Sequence, residues 1–230
     1  MMKDTNLGSR LLMAASFVDN GGTVCDVGCD HGKLSLYLVQ RGKARNIIAT
    51  DINRQPLQKA VDLFASHDLS HTAQFILTDG LEGIEDTSDI THIVIAGLGG
   101  HTMAQVIENA PFIKQQCVQL VLLPAQSGYF VRRYLYENGF EIITEKNVSE
   151  KGKFYSCINA VYTGKICHPG IFDMYVGKSA YNTDRAAKGY FEMILGQLEK
   201  KQRGFVIDTG MANEDYAEAI ERIKHLIENM

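Results

Sequence analysis

The sequence predicts an α/β protein: a doubly wound parallel sheet with an antiparallel final strand, followed by a helical C-terminal part. Three observations support this class. Short, almost wholly apolar segments alternate with stretches of helical periodicity, the pattern of a parallel sheet covered on both faces. The early apolar segments are followed by acids or glycine-rich turns. A polar turn is all that separates the last two predicted strands, so these two form an antiparallel hairpin.

The individual elements follow from apolar periodicity and from the residues that interrupt it. A first helix over residues 8–18 ends at Asn20-Gly21-Gly22, and Pro56 suits the first turn of a later helix, where a missing N–H costs little. The predicted strands are Thr23–Val27, Asn46–Thr50, Ala73–Leu77, His92–Ala96, Leu120–Leu123, Phe140–Glu145 and Phe154–Tyr162. The later helices are predicted at about 34–40, 56–66, 102–109, 129–137, 184–203 and 213–229, the last two separated by Gly204–Gly210.

Length and composition indicate one domain with an appendage. The chain has 230 residues, of which 45% are hydrophobic and 22% charged, so it can bury an ordinary core. We place the boundary between residues 1–164 and a helical, coiled-coil-like domain at 165–230, after a break at Cys167-His168-Pro169-Gly170. No apolar run approaches the roughly 20 residues of a membrane span, and no clear cleavage site follows the N-terminus. We therefore expect a cytoplasmic protein without a membrane partner, as a monomer or weak dimer.

The cysteines argue against a disulfide scaffold and a metal site, and the charges bear on the kind of partner. The five cysteines form no even, clustered framework, so a disulfide scaffold is not expected. Cys25, Cys29 and His31 are close in sequence, but Cys25 lies in a predicted buried strand and no second ligand pair exists, so we predict no metal site. The net charge of −4 argues mildly against a nucleic-acid partner, although basic residues outnumber acidic ones between Lys165 and Arg203.

The loop after the first predicted strand separates two classes of cofactor. A nicotinamide enzyme uses the spacing G-x-G-x-x-G, whereas this loop has Gly28-x-x-x-Gly32 with Asp30 and His31 between. A negative Asp30 in such a cradle would repel a pyrophosphate. S-adenosylmethionine has no phosphate and carries an ammonium and a sulfonium, both of which tolerate acids. The loop therefore favours S-adenosylmethionine, and an oxidoreductase is the weakest alternative.

Acids at successive strand ends support a ligand there. Asp51 can accept hydrogen bonds from ribose hydroxyls, and Asp79 can lie near an adenine amine. For a single aspartate a helix cap or turn would be the better explanation, but three such acids favour a ligand. The predicted cofactor residues are Asp26, Gly28, Asp30, Gly32, Asp51, Ile52, Asp79, Gly80, Ala96, Gly97, Leu98 and Gly99.

The segment Ala96-Gly97-Leu98-Gly99-Gly100-His101 follows the fourth predicted strand. Its glycines indicate either a ligand packed on the backbone, where methyl donor and acceptor meet, or a tight strand-to-helix turn, and the sequence favours neither. Enzymes that methylate exocyclic amines of bases commonly carry an Asn/Asp-Pro-Pro-aromatic motif here. Its absence argues against an amine acceptor.

With these residues assembled, the chain resembles the bacterial tRNA (adenine-22-N1)-methyltransferase family, often called TrmK. The resemblance runs from Leu7 to about Thr163 and more loosely to the C-terminus. The motifs that carry it are Leu7-Gly-Ser-Arg-Leu11, Asp26-Val-Gly-Cys-Asp-His31, Asp79-Gly-Leu81, Ile95-Ala-Gly-Leu-Gly-Gly100 and Lys153-Phe-Tyr155. The resemblance implies a Rossmann-like class I methyltransferase domain followed by a helical, coiled-coil-like domain.

The resemblance also implies a reaction, in which adenine N1 of tRNA attacks the sulfonium methyl group in line. Methylation leaves positive charge on the base, which we expect Asp30 to stabilise, with His31 orienting Asp30 or the base. Asp30 capping the following helix is the alternative. Candidates for contact with substrate or RNA are Arg10, Gly100, His101, Lys178, Arg185 and Lys188.

Two other functions remain open from the sequence. A methyltransferase acting on a small molecule or a protein would suit the acidic net charge. A non-catalytic module that binds the cofactor or RNA would also account for the glycine loop.

Overall fold

The computed structural model describes residues 5–230, which contain one seven-stranded sheet. Its order is β3-β2-β1-β4-β5-β7-β6. The strands β1 to β5 run parallel, and β7 is antiparallel to both β5 and β6. The strands are β1 (Gly22–Val27), β2 (Ala44–Asp51), β3 (Ala73–Leu77), β4 (Ile90–Ala96), β5 (Gln119–Leu123), β6 (Phe140–Glu150) and β7 (Lys153–Tyr162). The predicted fold class is confirmed.

The helices lie on both faces of the sheet and beyond it. They are α1 (Ser9–Ser16), α2 (Lys33–Gln40), α3 (Arg54–Ala65), α4 (Gly100–Glu108), α5 (Gly128–Glu137), α6 (Ile171–Tyr175), α7 (Arg185–Thr209) and α8 (Glu214–Glu228). Short 3-10 turns cover Ser70–Thr72, Pro111–Lys114 and Gly177–Tyr181. The predicted break at Gly204 is wrong, because α7 continues to Thr209 and ends at Gly210, whose φ is +76°. Helix α7 contains three glycines, Gly189, Gly196 and Gly204, each of which costs about 1 kcal/mol relative to alanine. Packing of the apolar face of the helix offsets this cost.

Two hydrophobic cores separate the helices by face. One core packs Met103 and Ile107 of α4 and Leu135 of α5 against the sheet. The other core contains side chains of α1, α2 and α3, among them Leu36 and Phe64. Both faces of the parallel strands are therefore covered, which explains why those strands are almost continuously apolar.

The strand order reverses between β1 and β4, because β2 and β3 lie on one side of β1 whereas β4 and β5 lie on the other. At such a point the loops at the carboxyl ends of the strands diverge, and open α/β sheets bind ligands in the crevice between them. The crevice here is bounded by the loops that follow β1, β2 and β4. Its residues are those for which the sequence predicts a cofactor.

The C-terminal helices have a core of their own. Phe172, Tyr190, Phe191 and Ile223 are central to it. Tyr129 of α5 and Phe154 of β7 also pack against this core, so it is continuous with the first part of the chain. The division at residues 164 and 165 stays a prediction, and residues 1–4 of the predicted first domain lie outside the described residues.

Within residues 5–230, no helix is long and apolar enough to cross a membrane. In the same range, the His, Cys, Asp and Glu side chains form no group of three or more that is arranged to hold a metal ion.

Candidate active site

Asp51, the last residue of β2, forms hydrogen bonds with the loops that follow β1 and β2, at the carboxyl ends of these strands. Its Oδ2 accepts a hydrogen bond of 3.1 Å from the backbone N–H of Asp30, and its Oδ1 accepts one of 2.8 Å from Asn53. The backbone N–H groups of Gly28 and Cys29 both donate to the Thr50 carbonyl, which fixes the same loop a second time. A carboxylate offers about four lone-pair positions. Two positions on Asp51 therefore remain for a ligand's hydroxyls.

The two glycines of this loop are required for different reasons. Gly28 has φ +69°, and a Cβ there would lie 3.5 Å from the Leu98 side chain, so the backbone itself contacts the loop after β4. Gly32 has φ +68°, and a Cβ there would lie 2.7 Å from the Ala60 Cβ, which α3 cannot accommodate without moving. Gly28 therefore leaves room at the crevice, whereas Gly32 brings α2 and α3 together.

Asp30 and His31 lie at the surface of the crevice. The Asp30 side chain is 74% exposed and its Oδ1 lies 3.6 Å from His31 Nε2. Lys59 Nζ lies 3.3 Å from the same His31 nitrogen. Both contacts fall on the same His31 nitrogen, so His31 lies between an acid and a base. The residue that caps α2 is Gly32, without a side-chain hydrogen bond, so the alternative role of Asp30 as the helix cap is excluded.

Asp26 has a different environment from the other predicted acids. Its carboxyl group is buried in β1 and accepts a short hydrogen bond from the Ser35 hydroxyl on α2. Burial raises the pKa of Asp26 to about 6, against the lowering effect of Ser35. The sequence predicts direct contact between Asp26 and the cofactor. The structure instead makes Asp26 a buried anchor for α2, because its carboxyl group has almost no accessible surface.

The loops after β2 and β3 form the far end of the crevice. Asp79 is exposed, and Gly80 is held by a hydrogen bond of 2.8 Å from the Thr50 hydroxyl to its carbonyl. Asp79 and Gly80 line a small recess of about 60 Å³ against α4. Ile52 is 64% exposed, which is unusual for an isoleucine directly after a buried strand. An apolar side chain beside an acid suits a flat heteroaromatic ring with a polar edge.

The glycine segment after β4 interlocks with the loop after β5. Gly97 and Leu98 are linked to β5 and its loop by two backbone hydrogen bonds, from Gly97 N to Leu123 O and from Ala125 N to Leu98 O. A Cβ on Gly100 would lie 2.2 Å from the Ser127 carbonyl oxygen. Gly100 is buried, so tight packing explains this glycine and the structure does not support its predicted contact with substrate. Ala96, Gly97, Leu98 and Gly99 keep some exposure at the crevice.

Arg10 reaches the same glycine segment from α1. Its Nη2 lies 3.8 Å from where a Cβ on Gly97 would stand, and its guanidinium lies 5.1 Å from the centre of the Tyr155 ring. Arg10 Nε is buried without a hydrogen-bond partner among the described residues, 3.9 Å from Glu150 Oε2. The Glu150 carboxylate also accepts from the Arg10 backbone N–H at 3.4 Å, at the start of α1. The Arg10 side chain therefore lies half-buried at the edge of the crevice and does not point freely into solvent.

The remaining predicted substrate residues are spread over the surface. The His101 ring packs on Phe130, with centroids 3.8 Å apart. Lys178 donates to the Ile143 carbonyl oxygen at 3.3 Å, and Lys188 donates to the Ile227 carbonyl oxygen at 3.5 Å, near the end of α8. Arg185 is exposed at the start of α7. The structure therefore brings Arg10 to the crevice, whereas it commits Lys178 and Lys188 to contacts within the chain.

A family model described as a methyltransferase domain matches residues 7–158, the part of the chain that contains the whole crevice. The chain belongs to the methyltransferase-domain family. S-adenosylmethionine as the cofactor is confirmed.

Relatives of this methyltransferase domain include tRNA enzymes. The chain is 30% identical over 159 residues to the tRNA (adenine(22)-N(1))-methyltransferase of Bacillus subtilis, which covers 69% of this chain and 66% of the relative. It is 35% identical over 132 residues to a Mycoplasma pneumoniae protein provisionally named a tRNA methyltransferase, covering 56% of this chain and 59% of that protein. The matched stretches thus span less than two thirds of these curated relatives.

Similarity in structure extends further along the methyltransferase. A Streptococcus pneumoniae protein, provisionally a tRNA (m1A22) methyltransferase and solved in complex with S-adenosyl-L-methionine, superposes with a TM-score of 0.82 at 27% identity. The superposition covers 96% of this chain and 100% of that one. The resemblance to the TrmK family that the sequence predicts is confirmed, and it includes the helical C-terminal part.

Sequence reasoning missed several residues of the methyltransferase site. The sequence predicts no role for Ser35 or Glu150, and it includes Tyr155 only within the motif Lys153-Phe-Tyr155. Glu150 and Tyr155 lie on β6 and β7, far from the glycine loop in sequence. Only the return of the antiparallel strands beside β5 brings them to the crevice. The motif Lys153-Phe-Tyr155 was the one available signal.

Proposed function

We propose that this chain transfers the methyl group of S-adenosylmethionine to N1 of adenine 22 in tRNA. The observation that carries the proposal is the near-complete superposition, over 96% of this chain, on a protein provisionally described as a tRNA (m1A22) methyltransferase that holds S-adenosyl-L-methionine. The superposed part includes the helical region, which a shared methyltransferase domain alone would not require. The cytoplasmic location expected from the sequence belongs to the same proposal, since tRNA is the substrate.

The residues that would hold the cofactor are those of the crevice. Asp51, fixed by the Asp30 and Asn53 backbone N–H groups, presents its remaining lone pairs to the ribose hydroxyls. Ile52 and Asp79 present an apolar surface and an acid to the adenine. The backbone at Gly28 and Gly97 leaves room for the methionine part. When bound, the cofactor supplies an electrophilic methyl group on a sulfonium.

The chain's own contribution to the reaction is alignment and charge. Adenine N1 has a free lone pair, so no residue needs to remove a proton before the attack, and holding the base in line accounts for most of the catalysis. Positive charge builds up on the base as the methyl group is transferred. Asp30 stabilises that charge, and His31, which is positioned between Asp30 and Lys59, restrains it.

The tRNA must present an unpaired adenine, because N1 lies on the Watson–Crick edge. Arg10 is the basic residue nearest the glycine segment and can contact the backbone of the displaced nucleotide. Exposed basic residues on α7, Arg185, Lys200, Lys201 and Arg203, are candidates for phosphate contacts that position the tRNA. Such contacts predict that tRNA affinity falls steeply as salt concentration rises.

The decisive experiment is incubation of the chain with unmodified tRNA and labelled S-adenosylmethionine, followed by nucleoside mass spectrometry. The expected product is 1-methyladenosine, at position 22 when the tRNA is mapped. A tRNA in which adenine 22 is replaced by guanine serves as the control and accepts no label. Methyl transfer only to small amines or to protein, or cofactor binding without transfer to any tRNA, would contradict the proposal.

A further inference from the structure

A second recess lies beside the glycine segment, outside the cofactor crevice. It measures about 280 Å³ and is enclosed by the loop after β5, strand β7 and helices α6 and α7. Its lining includes four tyrosines and two glutamines: Tyr129, Tyr155, Tyr175, Tyr190, Gln126 and Gln197. We call it the tyrosine pocket. None of the predicted cofactor residues lines it.

The tyrosine pocket adjoins the place where the methyl group is presented. Gln126 forms an isolated parallel bridge with Gly99, and a Cβ on Gly99 would lie 3.6 Å from the Gln126 side-chain nitrogen. The side chain of Leu98, the residue before Gly99, lies 3.5 Å from where a Cβ on Gly28 of the cofactor loop would stand. The pocket wall is therefore separated from the cofactor loop by two residues of the glycine segment. Tyr155 is shared, because it lines the pocket and also lies under the Arg10 guanidinium.

The chemistry of the lining matches a flat, nitrogen-rich ring. Tyr129 and Tyr175 stack in parallel, with centroids 4.9 Å apart and planes 5° from parallel, so a rigid aromatic wall already exists. Purine bases stack on such walls regardless of their hydrogen-bonding pattern. The amides of Gln126 and Gln197 both donate and accept, which suits the amine and ring nitrogen of adenine. Lys201 Nζ lies 5.8 Å from the centre of the Tyr129 ring, close enough to contact a phosphate beside the pocket.

We infer that the tyrosine pocket receives the displaced acceptor adenine, which stacks on its tyrosines while Gln126 and Gln197 bind the edge away from N1. The inference rests on the proposed function, and it adds the specificity-determining residues for the base. It also gives the helical C-terminal part a direct role, since Gln197 and Lys201 lie on α7, one helical turn apart. The pocket is complete only when α7 packs against the first part of the chain.

Kinetics of two pocket variants test the inference. Gln197→Ala and Tyr129→Ala are compared with Gln115→Ala. Gln115 is an exposed glutamine before the amino end of β5, at the opposite end of the strand from the pocket. We expect methyl transfer at saturating cofactor to fall about 5- to 100-fold in the pocket variants, as loss of a base contact implies. Cofactor affinity, measured by titration calorimetry, stays unchanged. The Gln115→Ala control keeps the wild-type rate.

Photocrosslinking tests the same inference without any variant. A tRNA carrying 8-azidoadenosine at the acceptor position is irradiated with the wild-type chain, and the labelled peptide is identified by mass spectrometry. Label within residues 124–129, 154–156 or 193–197 is expected. Label elsewhere, or pocket variants that transfer at the wild-type rate, would overturn the pocket assignment while the wild-type activity keeps the proposed function intact. Absence of tRNA methylation by the wild-type chain would overturn both.

Discussion

Two clusters in this protein each bring acidic and basic side chains together. One cluster is fully buried, and the other is exposed to solvent. Arg132 and Glu145 are fully buried, with Nη2 and Oε2 2.6 Å apart. The guanidinium also donates to the carbonyl oxygens of Met174 and Tyr175 and to the Tyr190 hydroxyl. The exposed cluster, Asp30, His31 and Lys59, has separations of 3.3 and 3.6 Å around one histidine nitrogen.

The difference shows what each arrangement leaves available. Every guanidinium nitrogen of Arg132 has a partner within the chain, and Glu145 additionally accepts from Ser156 and Ser179. Burial alone would lower the pKa of Arg132, but the charge of Glu145 and the hydrogen bonds raise it, so the guanidinium stays charged. A saturated cluster holds elements together, whereas the exposed cluster has unused hydrogen-bonding capacity for a ligand. Charge alone therefore does not identify a functional site.

The largest effect is expected from breaking the buried cluster. Arg132→Met leaves Glu145 buried and unpaired, so we expect the free energy of unfolding to fall by about 3–5 kcal/mol. Urea denaturation followed by circular dichroism measures this fall. The double variant Arg132→Met/Glu145→Leu should recover much of the loss, because it removes the unpaired charge.

Arg133→Met is the matched control for this prediction. Arg133 lies on the same helix but is exposed, 3.9 Å from Glu137 in an i,i+4 pair. Such surface pairs contribute at most about 0.5 kcal/mol, so the control should unfold like the wild type. If Arg132→Met lost no more stability than Arg133→Met, the buried cluster would not be what joins α6 and α7 to the sheet.

Asp26 lies between the two extremes, since it is buried and, within residues 5–230, Ser35 is its only side-chain partner. Burial raises its pKa from 3.8 to about 6, so the folded chain binds a proton more tightly than the unfolded chain does. Asp26 therefore contributes stability below pH 4, and that contribution is lost as the pH rises through 6. The free energy of unfolding of Asp26→Asn at pH 7 should therefore exceed that of the wild type by about 2–3 kcal/mol.

The pH dependence of the stability difference tests this interpretation of Asp26. The difference between Asp26→Asn and the wild type should grow between pH 4 and 6 and stay constant above. Urea titrations at half-unit pH steps measure it. A difference that did not change with pH would mean that the carboxyl group is not protonated in that range.

The sequence predicted what depends on local pattern. Strands and helices on the sheet follow from apolar periodicity, and the loop from Gly28 to Gly32 follows from the spacing of its residues. The Arg132–Glu145 cluster was not predictable in this way, because it joins α5, β6, α6 and α7, and only packing brings those elements together. The end of α7 was misplaced because a glycine in mid-helix and a glycine at a helix end look alike in sequence.

The residues of the candidate site fall into the same two groups, those that local pattern predicts and those that depend on tertiary packing. Asp51 was predicted because it ends a strand, and Asp30 was predicted because it lies in the loop between Gly28 and Gly32. Both signals are local in sequence. The burial of Asp26 depends on where α2 packs, and the tyrosine pocket depends on α7 lying against β7. Both are tertiary features with no periodic signal in the sequence.

Substitution of Asp51 should weaken cofactor binding at the crevice, and it should lower the free energy of unfolding less than Arg132→Met does. Asp51→Asn exchanges one acceptor oxygen for a donor, so it loses a hydrogen bond to a loop N–H and one to the ligand. We expect the cofactor dissociation constant to rise about 10- to 100-fold, the range for hydrogen bonds to charged groups. Titration calorimetry measures it, with Asp89→Asn, an exposed aspartate before β4, as the control. Unchanged affinity in Asp51→Asn would remove Asp51 from the cofactor site.

The smallest effect is expected at Asp30, an exposed acid. Asp30→Asn keeps the shape and the positive φ of +51°, which asparagine tolerates as well as aspartate does, and removes only the charge. The methyl-transfer rate should fall about 10-fold, less than for a buried electrostatic contact, because the Asp30 carboxylate is largely solvated.

Asp68→Asn is matched to Asp30→Asn in both exposure and backbone, since Asp68 is exposed with φ +58°. Single-turnover rates at saturating cofactor compare the two variants, and cofactor affinity should be within about 3-fold of wild type in each. If both variants transferred methyl groups at the wild-type rate, Asp30 would have no catalytic role, and alignment alone would carry the reaction. If only Asp30→Asn were slow, the open cluster would differ from the buried one in function as well as in exposure, because its charge acts on the substrate.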